Sequence, residues 1–142
     1  ELDLSYAPPY SSAKDPVNMA GFVWENIHGG VVRQFHWDEV AALPRDGSVT
    51  LLDVRNPGEY ERGHIDGAIN IALDGIRDHL DELDKSKPVY VNCFSGMRSY
   101  IACRILSGSG FDVYNLSGGW RFYDLTMRGK ADNDHYPCGE CK

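Results

Sequence analysis

Residues 48–54 read Ser-Val-Thr-Leu-Leu-Asp-Val, and further β-rich runs follow at Ala68–Ile71, Val89–Asn92 and Asp112–Leu116. Segments with helical spacing stand around and between them, at Trp37–Leu43, Ile76–Leu83 and Arg98–Ser107. Strand and helix alternating at this spacing predict a parallel sheet with crossover helices packed on its faces, which makes the expected class α/β. In such sheets ligands bind beyond the carboxyl ends of the strands, where a loop leads into the next helix. Cys93 stands at such a point, directly after Val89-Tyr90-Val91-Asn92.

The 142 residues, 42% hydrophobic and 25% charged, are enough for one compact domain with its own core. A net charge of -7 with scattered basic residues leaves no cationic footprint of the kind that nucleic acids or anionic membranes select. No apolar run approaches the roughly 20 residues of a membrane span, and the N-terminus lacks a signal-peptide layout. The four cysteines, Cys93, Cys103, Cys138 and Cys141, could form two bridges in a secreted protein. A chain of this length does not need such staples, so a reduced, cytoplasmic setting is expected. Gly108-Ser109-Gly110 closes a helical segment rather than opening one, and Val113 stands where a third glycine would be needed. It is therefore no dinucleotide fingerprint.

Ahead of the alternating region, Pro8 and Pro9 exclude a helix, whereas Pro16 suits the first turn of one running from Val17 to Ile27, and Gly29-Gly30 reads as its stop. The chemistry concentrates in Cys93-Phe94-Ser95-Gly96-Met97-Arg98-Ser99. Placed between a strand and a helix, this loop puts backbone N–H groups and the unsatisfied donors of a helix N-terminus around the thiol, with Arg98 as the nearby cation. Such a concavity favours a thiolate. The competing reading is a buried cysteine that packs as a small hydrophobe, and that is the reading adopted for Cys103 in the middle of its helix. Asp53 and Arg55, at the carboxyl end of their strand, could face the same site. For Arg55 an ion pair with Glu59 that pins the loop is the favoured reading.

The Cys93–Ser99 loop resembles the Cys-x-Ser-Gly-x-Arg-Ser signature of rhodanese-like sulfurtransferases. Two further stretches resemble the same family in the same order: Asp53-Val54-Arg55 through Glu59-Tyr60 to Gly63-His64-Ile65-Asp66-Gly67-Ala68-Ile69-Asn70, and Asn115-Leu116-Ser117-Gly118-Gly119-Trp120. The resemblance implies a rhodanese-like α/β domain over residues 31–128, with a parallel sheet of about five strands and helices on both faces. It further implies that Cys93 takes sulfur from a sulfane donor, such as thiosulfate or coenzyme A persulfide, carries it as a persulfide, and passes it to a thiol or other nucleophile. Residues Phe94 to Ser99 would form the anion-binding loop, and His64 would be structural. Phosphatases and arsenate reductases of the same architecture resemble a Cys-x5-Arg pattern; the Cys-x4-Arg spacing here favours sulfur. A non-catalytic docking module is the other alternative, although domains of that kind typically lose the cysteine.

Residues Leu4 to Gly21 resemble the close of the dimerisation domain of coenzyme A-disulfide reductases, flavoproteins of the pyridine nucleotide-disulfide oxidoreductase class. Residues 1–30 would then be the tail of an upstream reductase domain and a linker, and the chain, which begins at Glu1, a piece of a longer protein that could form a homodimer. FAD and NAD(P)H are expected only in the upstream part, and no metal is expected here. The last segment, 129–142, is read as a tail carrying Cys138-Gly139-Glu140-Cys141. That pair could resolve the Cys93 persulfide or have no catalytic part. With His135 it falls short of the four ligands of a closed zinc site.

Overall fold

The computed structural model describes residues 16–135. Helix α1 (Pro16–His28) is followed by strand β1 (Arg33–Phe35), a 3-10 turn at Val40–Ala42, β2 (Thr50–Asp53), α2 (Pro57–Glu61) and β3 (Ile69–Asn70). A 3-10 stretch (Leu73–Glu82), β4 (Val89–Asn92), α3 (Met97–Gly108), β5 (Val113–Leu116) and α4 (Gly119–His135) complete it. The five strands form one sheet in the order β1-β5-β4-β2-β3, and every pairing is parallel.

Period-two alternation divides the core between the two faces. Leu52, Val54, Val89, Val91 and Val113 point to one face and pack against Ile76 of the 3-10 stretch and Ala102, Cys103 and Leu106 of α3. Leu51, Phe35 and Leu116 point to the other, with Val40, Ile65 and Ala68, and there Tyr60 of α2 and Trp120 and Tyr123 of α4 close over them. Strands covered on both sides need apolar residues at nearly every position, and β4, with three of its four residues fully buried, shows this directly.

The parallel arrangement brings the carboxyl ends of β2, β4 and β5 to one edge of the sheet. From β2 the chain moves outward to β3, whereas β4 lies on the other side of β2 and leads to β5. The crevice between the ends of β2 and β4 is therefore a topological switch point, the place where open α/β sheets bind ligands. Asp53 ends one of these strands and Asn92, next to Cys93, ends the other.

The strands at 50–53, 69–70, 89–92 and 113–116 lie inside the expected runs, and α1 starts at Pro16 and stops before Gly29-Gly30 as expected. Three differences have physical causes. Strand β1 has only three residues at the sheet edge, too few for a periodic signal, and it exists because it pairs with β5. The helical spacing at Trp37–Leu43 and Ile76–Leu83 is realised as 3-10 structure. In the second of these, Leu73 and Ile76, and again Leu80 and Leu83, lie three residues apart, which suits the tighter helix. Finally, α4 runs across the boundary drawn at residue 128 and continues to His135. Among the described residues no helix is long and apolar enough to cross a membrane.

Candidate active site

Strand β4 delivers Cys93 to the edge of the sheet, and α3 begins four residues later at Met97. Gly96 makes the junction with φ of 102°, a conformation that L side chains rarely adopt. The turn aims its own amide back at the sulfur: Gly96 N–H donates to Cys93 Sγ at 3.2 Å, and the Ser99 hydroxyl stands 3.3 Å from the same atom. Ser99, in the first turn of α3, is fully buried, so its hydroxyl has no water to turn to. It lies within reach of Gly96 O as well, at 3.1 Å. Cys93 is itself only 1% exposed, while Phe94 and Met97 flank it at 43% and 58%. The thiol is thus both buried and met by two hydrogen-bond donors.

The outer side of the loop is fastened to α4. The first amides of that helix, Trp120 N–H and Arg121 N–H, donate to the carbonyls of Cys93 and Phe94 at 2.7 and 3.0 Å. This contact explains the Gly118-Gly119 pair. A Cβ on Gly119 would lie 2.6 Å from Cys93 O and 2.8 Å from Phe94 O, and both glycines have positive φ. The backbones can meet only without a side chain there.

Asp53 and Arg55 do not contact the sulfur. They bind each other in a fork, with Arg55 Nη2 to Asp53 Oδ2 at 2.7 Å and Nε to both carboxylate oxygens at 3.0 Å, and both are almost completely buried. Arg55 also donates to Gly63 O at 2.7 Å and lies 5.0 Å over the Trp120 ring, so the pair ties the Gly63-His64-Ile65 segment to α4. The ion pair expected between Arg55 and Glu59 is not formed. Arg55 finds its partner two residues away in a dry setting, and Glu59 faces the cysteine loop instead.

There Glu59 holds Arg98. Nη1 and Nη2 donate to Oε2 and Oε1, both at 2.7 Å, and Oε2 also accepts the Asn56 N–H at the start of α2. The Arg98 hydrogen bonds lead in pulling the Glu59 pKa down to about 2, with Asn56 N–H and the charge of Arg98 adding to a shift that partial burial opposes. The same hydrogen bonds raise Arg98 above its ordinary value, helped by the charges of Glu59, Cys93 and Asp53. Glu59 is a site residue that sequence reasoning missed. Its only local signal is the helix-capping pattern Asn56-Pro57-Gly58-Glu59, because its partner is 39 positions away.

The remaining residues divide cleanly. Cys103 is 2% exposed within the apolar core, and burial, with a contribution from Cys93, pushes its thiol up to about 12. His64 stacks on Tyr60 at 3.8 Å with Nδ1 3.0 Å from Tyr60 O, a structural placement. Asn115 was not singled out from the sequence, yet its Nδ2 reaches Gly96 O at 3.4 Å while its buried Oδ1 has no partner. It lines a cleft of about 390 Å³ between α1, β1 and the loop, together with Phe22, Asn26, Gln34, Gly96 and Met97. No group of three or more His, Cys, Asp or Glu side chains that could hold a metal occurs among the described residues. Cys138 and Cys141 lie outside the described residues.

The rhodanese-like domain model matches residues 36–124, which contain the strand-end loop, the capped Arg98 and the glycine contact. The chain belongs to the rhodanese-like domain family. Its structure is similar to that of reduced Bacillus anthracis CoADR-RHD, with a TM-score of 0.80 and 46% identity, covering 90% of this chain and 23% of that one. It is also similar to a NAD-dependent persulfide reductase from A. fulgidus, at a TM-score of 0.66 and 37% identity, over 86% of this chain and 21% of that one. This rhodanese-like domain therefore spans less than a quarter of either chain. Over 90 residues it is 37% identical to the thiosulfate sulfurtransferase GlpE of Pseudomonas syringae, matching 63% of this chain and 84% of that protein.

Proposed function

We propose that this domain is a sulfurtransferase in which Cys93 carries the sulfur. The observation that carries the reading is a thiol at the switch point of the sheet, held by Gly96 N–H and Ser99 O–H at the start of α3. In the first half-reaction the Cys93 thiolate attacks the outer sulfur of a sulfane donor. A bond forms between Sγ and that sulfur, and the donor's S–S bond breaks. The electron pair leaves with sulfite from thiosulfate or with a thiolate from an organic persulfide. The incoming sulfur becomes the terminal atom of a Cys93 persulfide, and the loop from Phe94 to Ser99 surrounds its charge. In the second half-reaction an acceptor thiolate attacks that terminal sulfur, and the Cys93 thiolate is the leaving group.

We infer a wider role from the similarity to two larger proteins. The domain acts as the sulfur-handling part of a flavin- and NAD(P)H-dependent disulfide or persulfide reductase, with those cofactors bound upstream. What supports this is the similarity over 90% of the chain to CoADR-RHD and over 86% to a protein named as a NAD-dependent persulfide reductase. Incubation with thiosulfate or glutathione persulfide, followed by peptide mass spectrometry, is expected to place one added sulfur on the Cys93 peptide. Absence of that sulfur with both donors would refute the reading.

A further inference from the structure

The pair formed by Arg98 and Glu59 changes what the loop offers a donor. Arg98 is the only cation among the loop residues Cys93 to Ser99, and both of its terminal nitrogens are committed to a carboxylate. Glu59 stays ionised throughout the neutral range, since its pKa is held near 2. The other ion pair at this edge, Asp53 with Arg55, is internally neutral as well. Beside the loop, the cleft offers carboxamides from Asn26, Gln34 and Asn115 among apolar side chains, and no charged residue lines it. The site thus presents hydrogen-bond donors to one sulfur atom, little net positive charge, and neutral surroundings suited to an organic group.

We propose that Glu59 is a specificity-determining residue: by neutralising Arg98 it lowers the use of dianionic sulfane donors relative to organic persulfides of lower charge. The inference rests on the sulfurtransferase reading above. Its physical basis is that a donor's attraction to the loop scales with the donor's own charge. Removing the negative charge that opposes Arg98 should favour each extra negative charge on a donor by about threefold to tenfold at the screening typical of a protein surface.

The test measures kcat/KM for thiosulfate and for 2-hydroxyethyl persulfide, generated in situ, with the 142-residue chain and three variants. Glu59→Gln keeps an acceptor for Asn56 N–H and is expected to raise the thiosulfate-to-persulfide ratio about threefold to tenfold. Arg98→Gln, which leaves Glu59 unopposed, should lower the ratio by a similar factor. In the double variant both charges are gone, and the ratio should return to within about twofold of the parent value. The proposal is overturned if Glu59→Gln leaves the ratio unchanged or lowers both donors equally. It is also overturned if the double variant stays as far from the parent ratio as either single variant. Should Glu59→Gln fail to fold, the fall of the ratio in Arg98→Gln and its return to the parent value in the double variant still decide. Absence of sulfur on Cys93 in the parent chain with both donors would instead refute the sulfurtransferase reading itself.

Discussion

Cys93 and Cys103 are ten residues apart, and they are almost equally hidden, at 1% and 2% exposure. Their surroundings differ completely. Cys93 ends a strand and receives Gly96 N–H and Ser99 O–H, whereas Cys103 lies in the middle of α3 among Val, Leu and Ala side chains. Burial pushes a thiol toward neutrality, and at Cys103 it leads, with a smaller contribution from Cys93, in raising the thiol to about 12. Burial beside donors makes a place for charge. The comparison teaches that accessibility does not distinguish the two cysteines; the hydrogen-bond donors around them do.

The largest effect expected is on sulfur transfer. Cys93→Ser should lower turnover with any sulfane donor by about a thousandfold or more, because a serine hydroxyl is not ionised at neutral pH and cannot carry a persulfide. Cys103→Ser should leave turnover within about twofold when expressed per folded molecule. Equal losses in the two variants, read in a coupled sulfite-release assay, would erase the distinction.

The next effects act on what holds the Cys93 loop in place. Asp53→Asn leaves the Arg55 guanidinium buried beside a neutral partner and should destabilise the domain by about 3–5 kcal/mol, measured by urea unfolding. A loss below about 1 kcal/mol would mean that water reaches the pair. Gly119→Ala forces a methyl against the carbonyls of Cys93 and Phe94 in a left-handed conformation. It should cost about 2 kcal/mol or more of stability and reduce turnover further than folding explains. Normal turnover in folded Gly119→Ala would show that the α4 contact does not shape the sulfur site.

Acid should affect the loop through Glu59. Its folded pKa of about 2 lies below its ordinary 4.5, so the native state holds its proton less tightly than the unfolded chain does. The contribution is therefore complete above about pH 4.5 and is lost as pH falls toward 2. With a quarter of the Glu59 side chain exposed, screening reduces it to about 1–2 kcal/mol. The stability difference between the parent and Glu59→Gln should shrink over that window, and a difference constant from pH 6 to pH 2.5 would contradict it. The smallest effect belongs to Cys103 itself: Cys103→Ala should cost about 1 kcal/mol, and in the parent protein the Cys103 thiol should resist alkylation until the domain unfolds.

Much of this was legible along the chain. Apolar alternation in Thr50–Asp53, Val89–Asn92 and Val113–Leu116 marks strands because a sheet covered on both faces needs it. The Cys93 loop could be placed at a strand end because a glycine and a polar pair interrupt the apolar pattern there. Strand β1 and the 3-10 stretch were not legible, since three residues carry no period and since spacings of three and four overlap in a short segment. Pairing of charges was not legible either. Spacing matched Arg55 with Glu59, and only packing placed Asp53 and Arg55 together in a dry crevice and left Glu59 facing Arg98.

By itself, then, the sequence determined the α/β class, the position of Cys93 between a strand and a helix and the packing role of Cys103, because these depend on local period and on immediate neighbours. Tertiary structure decided which donors reach Cys93 Sγ, why Gly119 has to be a glycine, and that the cation of the loop is answered by a carboxylate 39 positions away. Those features depend on distances between separate segments, which the chain sets only when parallel strands bring their carboxyl ends to one edge.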